Sequence, residues 1–297
     1  MNIRSILLLL CLVFSCDVFP ASKYAIPATD EGLPGAGPIR RYEWFQNLWD
    51  RKRSGWAKLV QQDQGALVFL GDSITQGWGD TMGGSFPGVK VANRGISGDT
   101  TRGVLIRLRE DVLSLNPSGV VLLIGTNDLE EKATPEVIAD NLKLIIAVLK
   151  KHSADMPIIL CNVMPSSAAK KRPADQIEKI NQLYFAAVKG DAQVTMLDTW
   201  LLFADDKGDA KKSEFPDLLH PNKTGYAKWA AALRPLLATH GFVETKPDNF
   251  QLEPGYVSLF NGHDLTGWGF RAKKTFKPTA TFDGKKASND ARYVAIN

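Results

Sequence analysis

Cysteine is scarce in this chain, three in 297 residues, and one of them, Cys11, lies in an apolar leader, so no disulfide framework is possible. Cys161 falls in the aliphatic run PIILCNV, where a thiol packs as a small hydrophobe. Charge of one sign is missing too. The 36 basic and 32 acidic residues leave a formal +4, which gives no case for a nucleic-acid partner. No internal repeat is present, and no Gly-x-Ser-x-Gly elbow, which argues against an α/β-hydrolase. The longest apolar run of the leader, ILLLLCLVF from Ile6 to Phe14, is too short to span a bilayer.

That run follows Arg4 and precedes small residues, the pattern of a signal peptide over residues 1–21, and it predicts export to the periplasm or beyond. Cleavage before Cys16 would leave that residue able to carry a lipid, the one route to a membrane.

What is present is alternation. Short aliphatic runs, ALVFL at 66, VKVAN at 89, GVVLLI at 119, PIILCNV at 157 and VTMLDT at 194, are separated by helical patterns. Leu105, Leu108, Val112 and Leu115 make one apolar face, with Pro117 as the stop. Ile138, Leu142, Ile145 and Leu149 make a second, opened by Thr134 as N-cap and Pro135. Ile177, Ile180, Tyr184 and Val188 make a third, and Tyr226, Trp229, Leu233 and Leu237 a fourth. This is an α/β chain with a parallel sheet covered on both faces, in which ligands bind beyond the carboxyl ends of the strands. A helical lead over 22–62, anchored by Trp44, Leu48 and Trp56, precedes a main domain over 63–241. A Gly- and Pro-containing linker over 242–255 leads to a different pattern over 256–297.

The polar residues after each strand converge on one chemistry. Acyl transfer needs a nucleophile, a base, a group that orients the base, and donors for an oxyanion. Ser73 closes the first run as a nucleophile, and His220 is the only one of four histidines with an Asp three places before it, Asp217. The backbone N–H groups of Ser73 and Gly98 and the side-chain amide of Asn127 supply the oxyanion donors. Asp72, Asp99 and Asp128 read as caps and loop hydrogen-bonders, because their spacing with His220 suits no defined metal set. His152 reads as a helix-end cation, and Trp78 either lines the site or packs the first helix. No cofactor is needed.

The blocks GDSITQGW, NRGISGDTT, GTND and DLLH stand in the order and spacing of the SGNH, or GDSL, hydrolases, and the first two resemble the platelet-activating-factor acetylhydrolase-like branch. The resemblance covers residues 64 to 240. It implies a flavodoxin-like, five-stranded parallel sheet, Ser73 as nucleophile, Gly98 and Asn127 as oxyanion donors, and Asp217 with His220 as the rest of a triad.

The segment GYVSLFNGHDLTGW resembles the opening of the 3-keto-disaccharide hydrolase domain, a concanavalin-like jelly roll, of which 256–297 would be an incomplete part. Its His263 and Trp268 read as packing residues. Together these readings predict an exported serine esterase acting on short-chain, acetyl esters of small molecules or glycans. Its rivals are a lysophospholipase or short-chain lipase, a non-catalytic carbohydrate-binding protein and a metal-dependent phosphohydrolase.

Overall fold

The computed structural model describes residues 22–244, 264–271 and 278–287. The leader with Cys11 and Cys16, the linker beyond 244, the run Tyr256 to Phe260 and His263 lie outside the described residues.

Five strands, β1 (Leu67–Gly71), β2 (Val91–Gly95), β3 (Gly119–Leu123), β4 (Ile158–Cys161) and β5 (Val194–Leu197), form one parallel sheet in the order β2-β1-β3-β4-β5. Every residue of β1 and β3 is buried, which is why these segments read as continuous aliphatic runs rather than as alternation. Successive side chains serve opposite cores. Val68, Leu70, Val120, Leu122 and Leu160 pack under α3 (Thr101–Asp111), α5 (Pro135–His152) and α6 (Ala174–Val188). Leu67, Phe69, Val121, Leu123, Ile159 and Cys161 pack under α2 (Ser73–Gly77) and α8 (Lys223–Thr239).

The helices form where the apolar spacing requires them. In α5 the Thr134 hydroxyl accepts a hydrogen bond from Val137 N, Pro135 takes the first turn, and Lys150, Lys151 and His152 face the negative end of the dipole. Its four predicted core residues, Ile138, Leu142, Ile145 and Leu149, are fully buried, each contributing roughly 1.5–3 kcal/mol of apolar burial.

Three details depart from or settle the sequence reading. The lead helix α1 (Glu43–Ala57) buries Phe45, Trp49, Arg53 and Trp56, while Trp44 is exposed and Leu48 only partly buried. Arg53 belongs to the inward face because its guanidinium meets the buried Asp111 at 2.9 Å, so a face defined by apolar residues alone is displaced by one position. Helix α3 ends at Asp111 rather than running to Pro117. Val112 caps it, Leu115 lies on a single 3-10 turn, and Asn116, left-handed at φ 43°, precedes the proline in place of the helical conformation that a following Pro disfavours. Trp78 is a packing residue, enclosed by Phe69, Phe86, Tyr226 and Trp229.

In the C-terminal part, β6 (Gly269–Arg271) pairs antiparallel with β7 (Pro278–Thr281). The sheet order reverses at β1, which has β2 on one side and β3 on the other. The crevice at such a switch point opens beyond the ends of these three strands.

Candidate active site

Ser73 stands where β1 turns directly into α2. The last strand residue, Gly71, has to be glycine, because a Cβ there would lie 2.3 Å from both Leu123 O and Thr75 Oγ1. Asp72 then caps the helix, its Oδ1 accepting from Ile74 N at 2.9 Å. Ser73 is the first helical residue, so its N–H has no acceptor within the helix and its hydroxyl sits at the rim, half-buried.

The turn before α8 brings a second group to that hydroxyl. His220 Nε2 lies 2.9 Å from Ser73 Oγ across 147 positions of sequence, and His220 Nδ1 lies 2.7 Å from Asp217 Oδ2. Asp217 Oδ1 also accepts from Leu219 N at 3.0 Å and His220 N at 2.7 Å. Partial burial works to raise the Asp217 pKa, but these backbone and ring donors outweigh it and hold the carboxyl down to about 2. An ionised carboxylate can only accept, so Nδ1 carries the imidazole proton and Nε2 is left as the acceptor for the Ser73 hydroxyl. Leu218, at φ 62°, bends the turn through the left-handed region, and Ser166 Oγ donates to its carbonyl at 2.8 Å.

Gly98 and Asn127 come from the loops after β2 and β3. Gly98 is left-handed, at φ 88°, and a Cβ would strike Trp44, Arg40 and Phe45, so only glycine fits beneath the lead helix. Asn127, in the short helix α4 (Thr126–Glu130), is 3% exposed and donates Nδ2 to Asp99 O at 2.9 Å. Its amide therefore reaches the loop that carries Gly98.

Asp72, Asp99 and Asp128 are buried structural groups, as their positions suggested. Burial pushes Asp72 and Asp99 up to about 6 and Asp128 up to about 7. Asp99 pairs with the fully buried Arg107 at 2.8 Å, and Asp128 accepts from both Thr101 N and Thr101 Oγ1. Arg107 Nη2 also donates to Arg94 O at 2.8 Å and Gly71 O at 3.2 Å, tying the ends of β2 and β1 beneath the crevice.

Residues 69–228 match the GDSL-like lipase/acylhydrolase family. The chain belongs to that family. Human platelet-activating factor acetylhydrolase IB subunit alpha2 is 30% identical to this GDSL-like hydrolase over 220 residues, 72% of this chain and 89% of the relative. A solved structure from Streptococcus pneumonia is similar with a TM-score of 0.60 at 24% identity, covering 65% of this chain and 94% of the other. A GDSL-like lipase from Bacteroides thetaiotaomicron gives 0.54 at 23%, covering 62% and 98%. These likenesses carry the SGNH hydrolase fold, and the family makes the chain a carboxylic ester hydrolase of the esterase and lipase type.

The GDSL-like hydrolase also contains site neighbours that the sequence did not disclose. Arg172 falls in the loop AAKKRPADQ, whose composition is that of a solvated surface, yet it is 3% exposed and its Nη2 donates to Asn127 Oδ1 at 2.9 Å. Arg40, from the lead, pairs with Glu130 and donates to Glu131 at 2.7 Å. The one local signal was Arg before Pro173, a junction that holds the preceding residue extended.

Proposed function

We propose that this hydrolase is an exported serine esterase that removes a short acyl group, acetyl above all, from carbohydrate esters through an acyl-Ser73 intermediate. The observation that carries the reading is the line Ser73 Oγ, His220, Asp217, with joints of 2.9 Å and 2.7 Å. In the first step Ser73 Oγ attacks the ester carbonyl carbon while its proton passes to His220 Nε2. Asp217 stabilises the resulting imidazolium without taking its proton. The carbonyl oxygen, now an oxyanion, receives hydrogen bonds from Ser73 N, Gly98 N and Asn127 Nδ2. Collapse expels the alcohol, which takes the proton from His220. Water then repeats the sequence on the acyl-enzyme, giving back the Ser73 hydroxyl and releasing the acid.

The acetyl preference draws support from the acetylhydrolase relative. The carbohydrate substrate draws on the resemblance of GYVSLFNGHDLTGW to a module of carbohydrate-active proteins, and export draws on the leader. The test is Ser73→Ala, which removes only the hydroxyl. Turnover of p-nitrophenyl acetate and labelling by a fluorophosphonate probe should both vanish, and full labelling of the variant would refute the acyl-enzyme. Acetylated sugars, p-nitrophenyl esters of rising chain length and lysophospholipids assayed side by side decide the substrate. Faster cleavage of octanoyl esters or lysophospholipids than of acetyl esters would favour the lipase reading.

A further inference from the structure

A side-chain amide serves an oxyanion only if its nitrogen faces the reacting atom, because the oxygen end would repel it. Asn127 has both ends buried, so its orientation is set by its neighbours. On one side Arg172 Nη2 stands 2.9 Å from Asn127 Oδ1, and a guanidinium has only donors, so the oxygen is fixed there. On the other, Nδ2 gives one proton to Asp99 O, which leaves its second N–H to serve the oxyanion as the proposed mechanism requires. A charge-assisted bond to Oδ1 also draws electron density from the amide and strengthens the remaining N–H as a donor.

Arg172 is itself held on every edge. Nε donates to Thr126 O at 3.0 Å, Nη1 to Lys170 O at 2.6 Å, and Nη2 also meets Glu130 at 2.8 Å. Glu130 is shared with Arg40, whose guanidinium lies against Gly98. The loop geometry commits the side chain inward, with Lys171 left-handed at φ 58° on one side and Pro173 on the other.

From this we infer that Arg172 is a positioning residue for ester hydrolysis: it fixes the Asn127 amide with nitrogen toward the crevice, and Glu130 with Arg40 braces it from the lead segment. The inference rests on Asn127 being an oxyanion donor. It adds a loop after β4 and a residue ahead of the sheet to the apparatus that stabilises the tetrahedral intermediate.

The experiment is a double-mutant cycle on the full chain with p-nitrophenyl acetate, using Arg172→Gln, Asn127→Ala and both together. Removing an oxyanion donor costs on the order of 10²–10³ in kcat, so a donor present but misdirected should cost about 10–10². We expect Arg172→Gln to lower kcat in that range with KM within about twofold and the pH–rate midpoint unmoved, since the His220–Asp217 pair is untouched. In the Asn127→Ala background the same substitution should cost less than about threefold, because the group it acts through is gone. Arg172→Lys, which keeps the charge but loses the planar fork, should fall between. If the Arg172→Gln chain does not fold, the cycle run with Arg172→Lys applies the same criteria. Equal losses in both backgrounds, a loss confined to KM, or an unaltered kcat would overturn the inference. An Asn127→Ala chain that keeps its full rate would instead remove Asn127 itself from the oxyanion site and, with it, the basis of the inference.

Discussion

His220 and Asp217 stand on a turn with side chains 43% and 45% exposed, whereas Asn127, Asp99, Arg107 and Arg172 are buried among fixed charges. The contrast follows from what each side does in the proposed reaction. His220 becomes a cation and then gives the charge up, and near water that charge is solvated and costs little to carry. The donors must already point at a charge that does not yet exist, and burial lets a few well-aimed dipoles act in a low dielectric. One part of the site is adjusted by protons, the other by packing.

Substitutions that affect only one side would test this division. The largest effect is expected from His220→Ala, which should lower kcat by on the order of 10⁴ or more while leaving the melting temperature close to that of the parent. A fall of many degrees would show that the exposed turn is a structural member as well. Next is Arg107→Met, which leaves Asp99 buried without its cation and cuts the tie between the ends of β1 and β2. It should lose about 3–5 kcal/mol in urea unfolding, and a loss below about 1 kcal/mol would mean that the buried side does not depend on its charges.

The smallest effect concerns pH. The Asp128 carboxyl is raised to about 7 when folded against an ordinary 3.8, so between those values the folded chain holds a proton that the unfolded chain lacks. Its contribution is most favourable at low pH and weakens as pH rises toward 7. Relative to Asp128→Asn, the parent should therefore lose melting temperature between about pH 5 and pH 7.5. A parent that stays level with the variant over that interval, and gains on it with rising pH only below about pH 4, would show the carboxylate to be stabilised as an ion, with the Thr101 donors outweighing burial.

The same division explains how much could be read in the sequence. The strands, the helical faces of α5, α6 and α8 and the motif residues at the strand ends follow from apolar spacing and from short polar blocks, because each rests on local pattern. Ser73 and Asp217 each lie within hydrogen-bond reach of His220. Arg53, Arg107 and Arg172 were hidden, since a buried arginine and a solvated one look alike in composition and differ only in a distant partner. For the same reason the face of the lead helix is only partly legible: Trp56 is buried and Leu48 packs against the same cluster, but Trp44 is exposed once Arg53 is counted as an inward residue. Trp78 was ambiguous because the ring of aromatics that encloses it comes from β1, the loop before β2 and α8.

The turn that carries Asp217 and His220 has one more consequence. The carboxylate is held by the N–H groups of Leu219 and of the His220 it serves, so the orienting contact is closed within four residues and owes nothing to the sheet. The base reaches the nucleophile only through the 2.9 Å contact to Ser73, while the Ser166 hydroxyl on the Leu218 carbonyl, 2.8 Å, ties the turn itself to the loop after β4. A displacement of the turn as a unit, which also breaks the Ser166 tie, separates the base from the nucleophile before it separates the base from its carboxylate, much as a plug leaves its socket with both pins still aligned.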